Sequence, residues 1–411
     1  MIDKYKETEI GKIPVEWKVE KLVNITNLIT KGTTPSTYGY SFENEGVNFL
    51  KIENMSKKVN FIKIPKISEE CHKKLFRSQM KKNDILFSIA GSLGIIKIVD
   101  EKILPCNTNQ AISIIRLINT QMVKFTKYIL ESKYIQIHIN NIKTTGAQPN
   151  LSLTQIANFK IPIPPIEEQE KIASILSKID ENIENIENLI IKTKELKKGL
   201  MQELLTKGIG HAEYKETELG KIPVEWEIEK LKDICTFKNG KGHENIIDDN
   251  GKFVLINAKF ISTDGKKSKN TNKALELLKL EDIAMVMSDI PNGRAIAKCY
   301  YIEEENKYTL NQRICGLTIK EQNSRYIFFV LSRNKYFLKF DDGVKQTNLR
   351  KDEVLDCPIL IPPIKEQEKI ANILLSVDNQ IEEYENKKGK LKKIKKGLMQ
   401  NLLTGKVRVK I

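Results

Sequence analysis

The residues that could do chemistry are thinly spread. The six cysteines (Cys71, Cys106, Cys235, Cys299, Cys315, Cys357) form no CxxC pair, and the four histidines (His72, His138, His211, His243) are equally dispersed. Cys71-His72 is the one adjacency, and two neighbouring residues rarely ligate the same metal, so the thiols read as free, buried and kept reduced. No Gly-rich loop ending in Gly-Lys-Ser/Thr is present to cradle a triphosphate, no Gly-x-Gly-x-x-Gly after a strand and no Gly-x-Ser-x-Gly elbow. The Asn-Pro-Pro-aromatic signature that grips a flipped base is also missing. Pro164-Pro165 and Pro362-Pro363 are followed by Ile and then Glu or Lys, which does not fit that role. Glu195-Leu-Lys197 is a chance match in a Lys/Glu-rich stretch. The chain is therefore expected not to be an enzyme. Its bulk chemistry points elsewhere: 68 Lys and Arg against 53 Asp and Glu give a net charge of +15, which suits a polyanion whose phosphates the cations neutralise. A surface that is basic by composition alone is the bland alternative.

The elements that must position those charges come in two copies. Residues 5–22 (YKETEIGKIPVEWKVEKL) return as 214–231 (YKETELGKIPVEWEIEKL), identical at 15 of 18 positions. IPIPPIEEQEKI at 161–172 returns as ILIPPIKEQEKI at 359–370, and KKGLMQ at 197–202 returns at 395–400. The order is module, helix, module, helix, and two copies point to a pseudo-two-fold arrangement. At 411 residues the chain has room for two or three cores. No run of eighteen apolar residues and no signal-like start occur, so a cytoplasmic protein without membrane spans is expected.

Each module reads as mixed α and β. In the first, 47–52, 84–89 and 111–117 read as strands and Gly91-Ser-Leu-Gly94 as a turn. A helix is expected over 123–139, then a polar loop at 143–150 and a short helix capped from Ser152. In the second, 253–256 and 282–287 are the strands and 291–294 the turn. There the helix is expected over 326–340 and the polar loop over 342–348. The long helices are the clearest elements. Ile172, Ile179, Ile186 and Leu200 alternate with Leu176, Ile183, Ile190 and Leu204 in one. Ile370, Val377, Tyr384 and Leu391 alternate with Leu374 and Ile381 in the other. Steps of three and four make a coiled-coil seam, interrupted at Thr193, Lys197 and Lys388. Forty residues predict a helix of roughly 60 Å, long enough to act as a ruler between the modules. Residues 166–207 carry nine acidic and seven basic side chains, and 364–406 six and ten, so nearly all the positive charge belongs to the modules.

The Gly-Lys-Ile-Pro-x-Glu-Trp start of each module, the Gly-, Gln- and Asn-Leu-containing loop, Ile-x-Ile-Pro-Pro-Ile-x-Glu-Gln-Glu-Lys-Ile and the Lys-Lys-Gly-Leu-Met-Gln-x-Leu-Leu-Thr helix end together resemble the specificity subunits of type I restriction–modification systems, in the family's order, twice over. The resemblance implies an α+β chain with two mixed α/β target recognition domains (1–160 and 208–358). These are separated by two long antiparallel spacer helices (161–207 and 359–411) that form an intramolecular coiled coil. It implies a non-catalytic subunit that binds double-stranded DNA and directs two modification subunits and the restriction subunits. S-adenosylmethionine, ATP and Mg would be bound by those partners, with no cofactor in this chain. Each module would read one half of an asymmetric bipartite site, and the coiled coil would set the gap.

On that resemblance, candidate DNA-contacting residues in module one are Lys31, Thr33, Thr34, Ser36, Tyr38, Lys51, Asn54, Ser92, Asn109, Gln110, Gln148 and Asn150. In module two they are Lys238, Asn239, Lys241, His243, Asn257, Lys259, Asn292, Arg294, Asn311, Gln312, Gln346 and Asn348. Arg294 is the candidate for guanine readout. Gln148, Gln346, Asn150 and Asn348 recur in both modules and fit loop-building better than discrimination. Trp17 and Trp226 fit core anchors better than stacking platforms. A specificity component serving a methyltransferase alone, a coiled-coil adaptor that is basic by composition only, and an enzyme fused to recognition domains are the competing readings. Steep salt dependence of duplex binding would argue against the adaptor.

Overall fold

A computed structural model describes residues 5–55, 64–143, 150–290, 293 and 295–410. The chain divides into two compact units, Met1–Glu187 with Asn386–Ile411, and Asn188–Glu385. Each long helix contributes one half to each unit.

In the first unit the repeated opening motif forms a hairpin, β1 (Tyr5–Thr8) and β2 (Gly11–Pro14), followed by β3 (Lys18–Lys21) and β4 (Thr26–Lys31). Next come β5 (Val47–Leu50), α1 (Ile52–Met55), β6 (Lys66–Ile67), α2 (Glu69–Lys74), β7 (Ile85–Ser88) and β8 (Ile96–Ile98). β9 (Cys106–Thr108), β10 (Ile112–Leu117), α3 (Val123–Glu131), α4 (Lys133–Lys143), α5 (Leu153–Ala157) and β11 (Lys160–Ile163) lead to the long α6 (Ile166–Leu204). Four strands form an antiparallel sheet in the order β4-β10-β7-β8, and three form a sheet β6-β5-β9 in which β5 and β9 run parallel. β7, Ile-Leu-Phe-Ser, is buried at every residue, as a strand covered on both faces must be. Trp17, Phe87, Phe125 and Ile161 share a core with Ile172 and Leu176 of α6 and with Leu402 and Leu403.

The second unit repeats this. β12 (Tyr214–Thr217), β13 (Gly220–Pro223), β14 (Glu227–Lys230), α7 (Leu231–Ile234) and β15 (Cys235–Asn239) precede β16 (Phe253–Ile256), α8 (Ala258–Ser262), β17 (Asn270–Thr271) and β18 (Ile283–Val286). β19 (Ser288–Asp289), β20 (Cys299–Tyr301), β21 (Tyr308–Leu310), β22 (Ile314–Ile319), α9 (Ser324–Leu331) and α10 (Lys335–Leu338) follow. β23 (Thr347–Asn348), α11 (Lys351–Leu355), β24 (Pro358–Ile361) and the long α12 (Ile364–Leu402) complete it. The sheets β15-β22-β18-β20 and β17-β16-β21 match those of the first unit. Trp226, Tyr326 and Phe337 share a core with Leu204, Ile370 and Leu374. The fold is α+β in both units.

Several expected boundaries differ. The helix expected over 123–139 breaks at Ser132, whose backbone is extended (φ −63°, ψ 155°), and the one over 326–340 breaks at Ser332 (φ −63°, ψ 110°). No Pro or Gly announces either break; a short polar residue at the cap suffices. The strand from 47 ends at Leu50, because Ile52 already starts α1. The Ile-Pro-Ile entry to α6 is itself a strand, β11 paired with β3, and β24 pairs with β14 in the same way. A two-stranded pair tolerates Pro162 because one edge needs no N–H donor. Ser152 does cap α5, through a capping box with Gln155. The polar loop at 144–149 and positions 291, 292 and 294 of the turn lie outside the described residues.

Within each unit the two helix halves run antiparallel. Lys395 Nζ lies 2.7 Å from Asp180 and Lys392 Nζ 3.5 Å from Glu187 in the first. Lys197 Nζ lies 2.6 Å from Asp378 and Lys194 Nζ 2.8 Å from Glu385 in the second. Asp180 also accepts from Tyr128 and Lys127 of α3. Although desolvation opposes it, the Lys395 and Lys127 contacts hold the Asp180 carboxyl below its ordinary value. Ile172, Leu176, Ile183, Ile186, Ile190, Leu204, Ile370, Leu374 and Val377 are buried, while Ile179, Leu200, Ile381, Tyr384 and Leu391 are half-buried. Of the seam interruptions, Thr193 is buried, Lys388 half-buried, and Lys197 is committed to Asp378.

Candidate nucleic-acid interface

Four chain segments meet in each module, and the hydrogen bonds that join them are duplicated. In module one the turn Asn109–Ile112 is closed by Ile112 N–H to Asn109 O (3.3 Å). Gly32 N–H donates to Ile112 O (3.3 Å), Ile89 N–H to Ala111 O (2.8 Å) and Leu151 N–H to Ile89 O (2.9 Å). In module two the turn Asn311–Ile314 is closed by Ile314 N–H to Asn311 O (3.0 Å). Gly240 N–H donates to Ile314 O (3.1 Å), Met287 N–H to Arg313 O (3.0 Å) and Leu349 N–H to Met287 O (2.8 Å). Gly32 and Gly240 let the strand after β4 or β15 lie on the turn: a Cβ there would sit 2.0 Å from Thr108 O and 1.8 Å from Asn311 O.

This frame brings most of the candidates together. Lys31 is exposed at the end of β4, and Thr33 N–H donates to Thr108 O (3.1 Å). Thr34 Oγ1 donates to Gln110 Oε1, and Ser36 and Tyr38 are exposed on the helical turn that follows. Lys51 follows β5, whose Leu50 pairs with Thr108, so it lies beside the Asn109 turn, with its Nζ 4.4 Å from the Phe42 ring. Ser92 and Asn150 are exposed where Leu151 meets Ile89. In module two Asn239 and Lys241 flank Gly240, and Lys241 bridges to Asn311 and pairs with Glu276 (3.4 Å). Gln312 is exposed and donates to Glu244 (3.2 Å). Lys259 is exposed on α8 after β16, whose Ile256 pairs with Leu310. Gln346 donates to Ser288 Oγ (2.8 Å) and Asn348 Oδ1 (3.1 Å), binding the polar loop to β19. In that loop, backbone N–H groups of Lys345 and Val344 hold the Asp342 carboxyl below its ordinary value. Gln148, Asn292 and Arg294 lie outside the described residues.

Several candidates have their side chains engaged within the fold. His243 is fully buried, with Nδ1 2.6 Å from Lys241 O and Nε2 3.1 Å from Thr309 Oγ1, so it braces the loop from inside. Lys238 points inward from β15 to Asp282 (2.7 Å), with 17% of its side chain exposed against 0% for the aspartate. Asn54 accepts from Lys51 N–H (3.0 Å) and Asn257 from Phe260 N–H (2.9 Å), each spending its side chain on a local turn or cap. Asn109 also accepts locally, from Ala111 N–H (3.1 Å).

Asp282 and its counterpart Asp84 each hold the turn before β18 or β7, accepting from Lys279 N–H (2.9 Å) and Lys81 N–H (2.6 Å). Their cations come from different strands: Lys238 of β15, and Arg116 of β10, which binds Asp84 through two bonds of 2.7 Å. Asp282→Asn is expected to cost about 2 kcal/mol, because Lys238 keeps its charge and loses its anion; denaturant unfolding at neutral pH measures it. A cost under about 0.5 kcal/mol would show that Lys238 simply turns to water.

All six cysteines are free and buried; burial pushes Cys106 and Cys357 up to about 12 and Cys235 up to about 11, which makes them poor nucleophiles. Among the described residues no cluster of His, Cys, Asp and Glu could hold a metal, and no helix is long and apolar enough to cross a membrane.

The family model for the type I restriction modification DNA specificity domain matches residues 14–195 and again 223–395. The type I restriction enzyme MjaVIII specificity subunit of Methanocaldococcus jannaschii is 29% identical over 99% of this chain and 97% of its own length. Among solved structures, the type I restriction–modification S subunit from M. genitalium superposes with a TM-score of 0.59 at 17% identity, covering 94% of this chain and 96% of that one. A chain from a study of type I R-M complex assembly and conformational transition gives 0.57 at 15% identity, covering 96% and 99%. With the family model matched twice across most of its length, the chain belongs to the type I restriction–modification DNA specificity family.

Proposed function

We propose that the chain is the DNA-reading subunit of a type I restriction–modification complex, each module reading one half of an asymmetric bipartite site and the α6–α12 pair setting the gap. The observation that carries this reading is the duplicated loop frame. Backbone bonds repeat one for one between the modules, while the side chains on the frame differ: Thr34 against Gln110 in one, Glu244 against Gln312 in the other. Identical frames with different faces suit two half-sites of different sequence. Lys31, Lys51, Lys241 and Lys259 would take phosphates, and the polar turn side chains base edges. The subunit is non-catalytic. Modification subunits, two by the internal two-fold, would supply S-adenosylmethionine chemistry on adenine, and restriction subunits ATP- and Mg-dependent cleavage.

Single-molecule methylation sequencing of DNA exposed to the complex of this chain with its modification subunits tests the reading. N6-methyladenine is expected at one gapped, asymmetric motif. A continuous or palindromic motif would sink the two-reader scheme. Duplex affinity should also fall steeply with salt, by about 0.9 in log–log slope for each phosphate neutralised. A flat salt response would favour the adaptor reading.

A further inference from the structure

The third residue of the turn in module two is Arg313, and in module one the same place is held by Ala111. The backbone under both is fixed by the same bonds: the residue's carbonyl accepts from Met287 N–H (3.0 Å) or Ile89 N–H (2.8 Å), and the next residue closes the turn. Arg313 is exposed and has no acidic partner among the described residues. The nearby carboxylates are spoken for: Glu244 accepts from Gln312, Glu276 pairs with Lys241, and Asp289 accepts from the N–H groups of Ile290, Ala295 and Ile296. Three other arginines are committed elsewhere, Arg116 to Asp84, Arg325 to Glu303 and Arg408 to Glu168. A guanidinium carried on a turn whose backbone is fixed, flanked by Asn311 and Gln312 and without an acidic partner among the described residues, has the planar fork to meet the O6 and N7 acceptors of guanine with two parallel bonds. Lysine, which supplies most of this protein's charge, lacks that planar fork.

We infer that Arg313 reads a guanine in the half-site of the second module, and that Ala111 leaves the first module without a reader at the equivalent position. The inference rests on the bipartite reading above and adds to it one residue and one base. It is tested on the complex with modification subunits, comparing wild type, Arg313→Ala and Arg313→Lys by methylation sequencing on random-sequence duplexes. Wild type is expected to require guanine at a fixed position of one half-site. Arg313→Ala should lower that preference by about tenfold to a hundredfold and widen the motif at that position alone, leaving the other half-site strict. Arg313→Lys keeps the charge and should recover affinity but not the full preference. An unchanged motif for Arg313→Ala overturns the inference and leaves the bipartite reading standing. Uniformly weaker methylation with no widening, rescued by Arg313→Lys, makes Arg313 a phosphate contact and also overturns it. A wild type without any gapped motif defeats the bipartite reading itself. Because the side chain is exposed, thermal midpoints of the three proteins should coincide; a displaced midpoint for Arg313→Ala would show that the residue holds the turn and would count against readout.

Discussion

Arg408→Ala is expected to destabilise the first unit by about 3–5 kcal/mol, although the residue lies outside α12, in the segment that follows it. Glu168, in the first turn of α6, is 1% exposed. It accepts from Trp17 Nε1 (2.9 Å) and from Arg408 Nε (2.7 Å) and NH2 (3.0 Å). The tail that carries Arg408 turns back at Gly405, which has a left-handed backbone (φ +68°) and where a Cβ would lie 2.4 Å from Pro14. Tyr5 Oη donates to Gly405 O (3.0 Å), so both ends of the chain close over the indole. Without the guanidinium, Glu168 keeps a full charge in an apolar site with one neutral donor. Hydrogen exchange should show amides of β1, β2 and β3 losing protection while β12, β13 and β14 keep theirs. The second unit has a similar arrangement with a histidine where the first has an arginine: Glu366 accepts from Trp226 Nε1 (3.0 Å) and Ile209 N–H (2.8 Å), and His211 Nε2 lies 2.8 Å away. His211→Ala should therefore cost less, since two donors remain. A loss below 1 kcal/mol for Arg408→Ala would mean that water replaces the guanidinium and that the tail is not a clamp.

The two Trp–Glu contacts explain what was legible beforehand. Repetition of Gly-Lys-Ile-Pro-x-Glu-Trp and of Glu-Gln-Glu-Lys-Ile marked both partners without indicating that they touch, because 151 residues separate Trp17 from Glu168. Apolar spacing located α6 and α12 closely, since a coiled-coil seam writes its period into the chain. The same spacing made Lys197 look like a flaw. Its partner Asp378 and the equivalent pair Lys395–Asp180 appear only when the second helix is laid antiparallel. The loop candidates divide between surface and interior for a related reason. Asn and Lys types suit base edges and phosphates, yet Asn257 caps α8, and Lys238 points inward by the alternation of β15. The repeats diverge around Arg313, and the sequence mark it carries is the turn Asn-Gln-x shared with Asn109-Gln110.

Removing one heptad from each helix at facing positions, residues 187–193 and 384–390, is expected to shorten the recognised gap by about three base pairs. Seven residues span about 10 Å of helix, a straight helix drifts only about 20° over a heptad, and duplex DNA rises about 3.4 Å per base pair. The positions face one another by the observed pairings: Lys392 with Glu187, Lys194 with Glu385, Lys197 with Asp378. Residues 187–193 and 384–390 contain the polar seam positions Thr193 and Lys388, and their loss forfeits the apolar packing of buried Ile190 and half-buried Tyr384. What remains would bring the apolar positions back into register, with Ile186 and Ile183 followed by the Lys197–Asp378 pair. The half-site sequences should be unchanged, since the loop frames are built within the modules and do not draw on these residues. Deleting the heptad from one helix only should instead misalign the Lys–Asp pairs and abolish methylation. The readout is the motif found by methylation sequencing with the doubly shortened chain. The same two half-sites at an unaltered spacing would refute the ruler and place the gap under the control of the partner subunits.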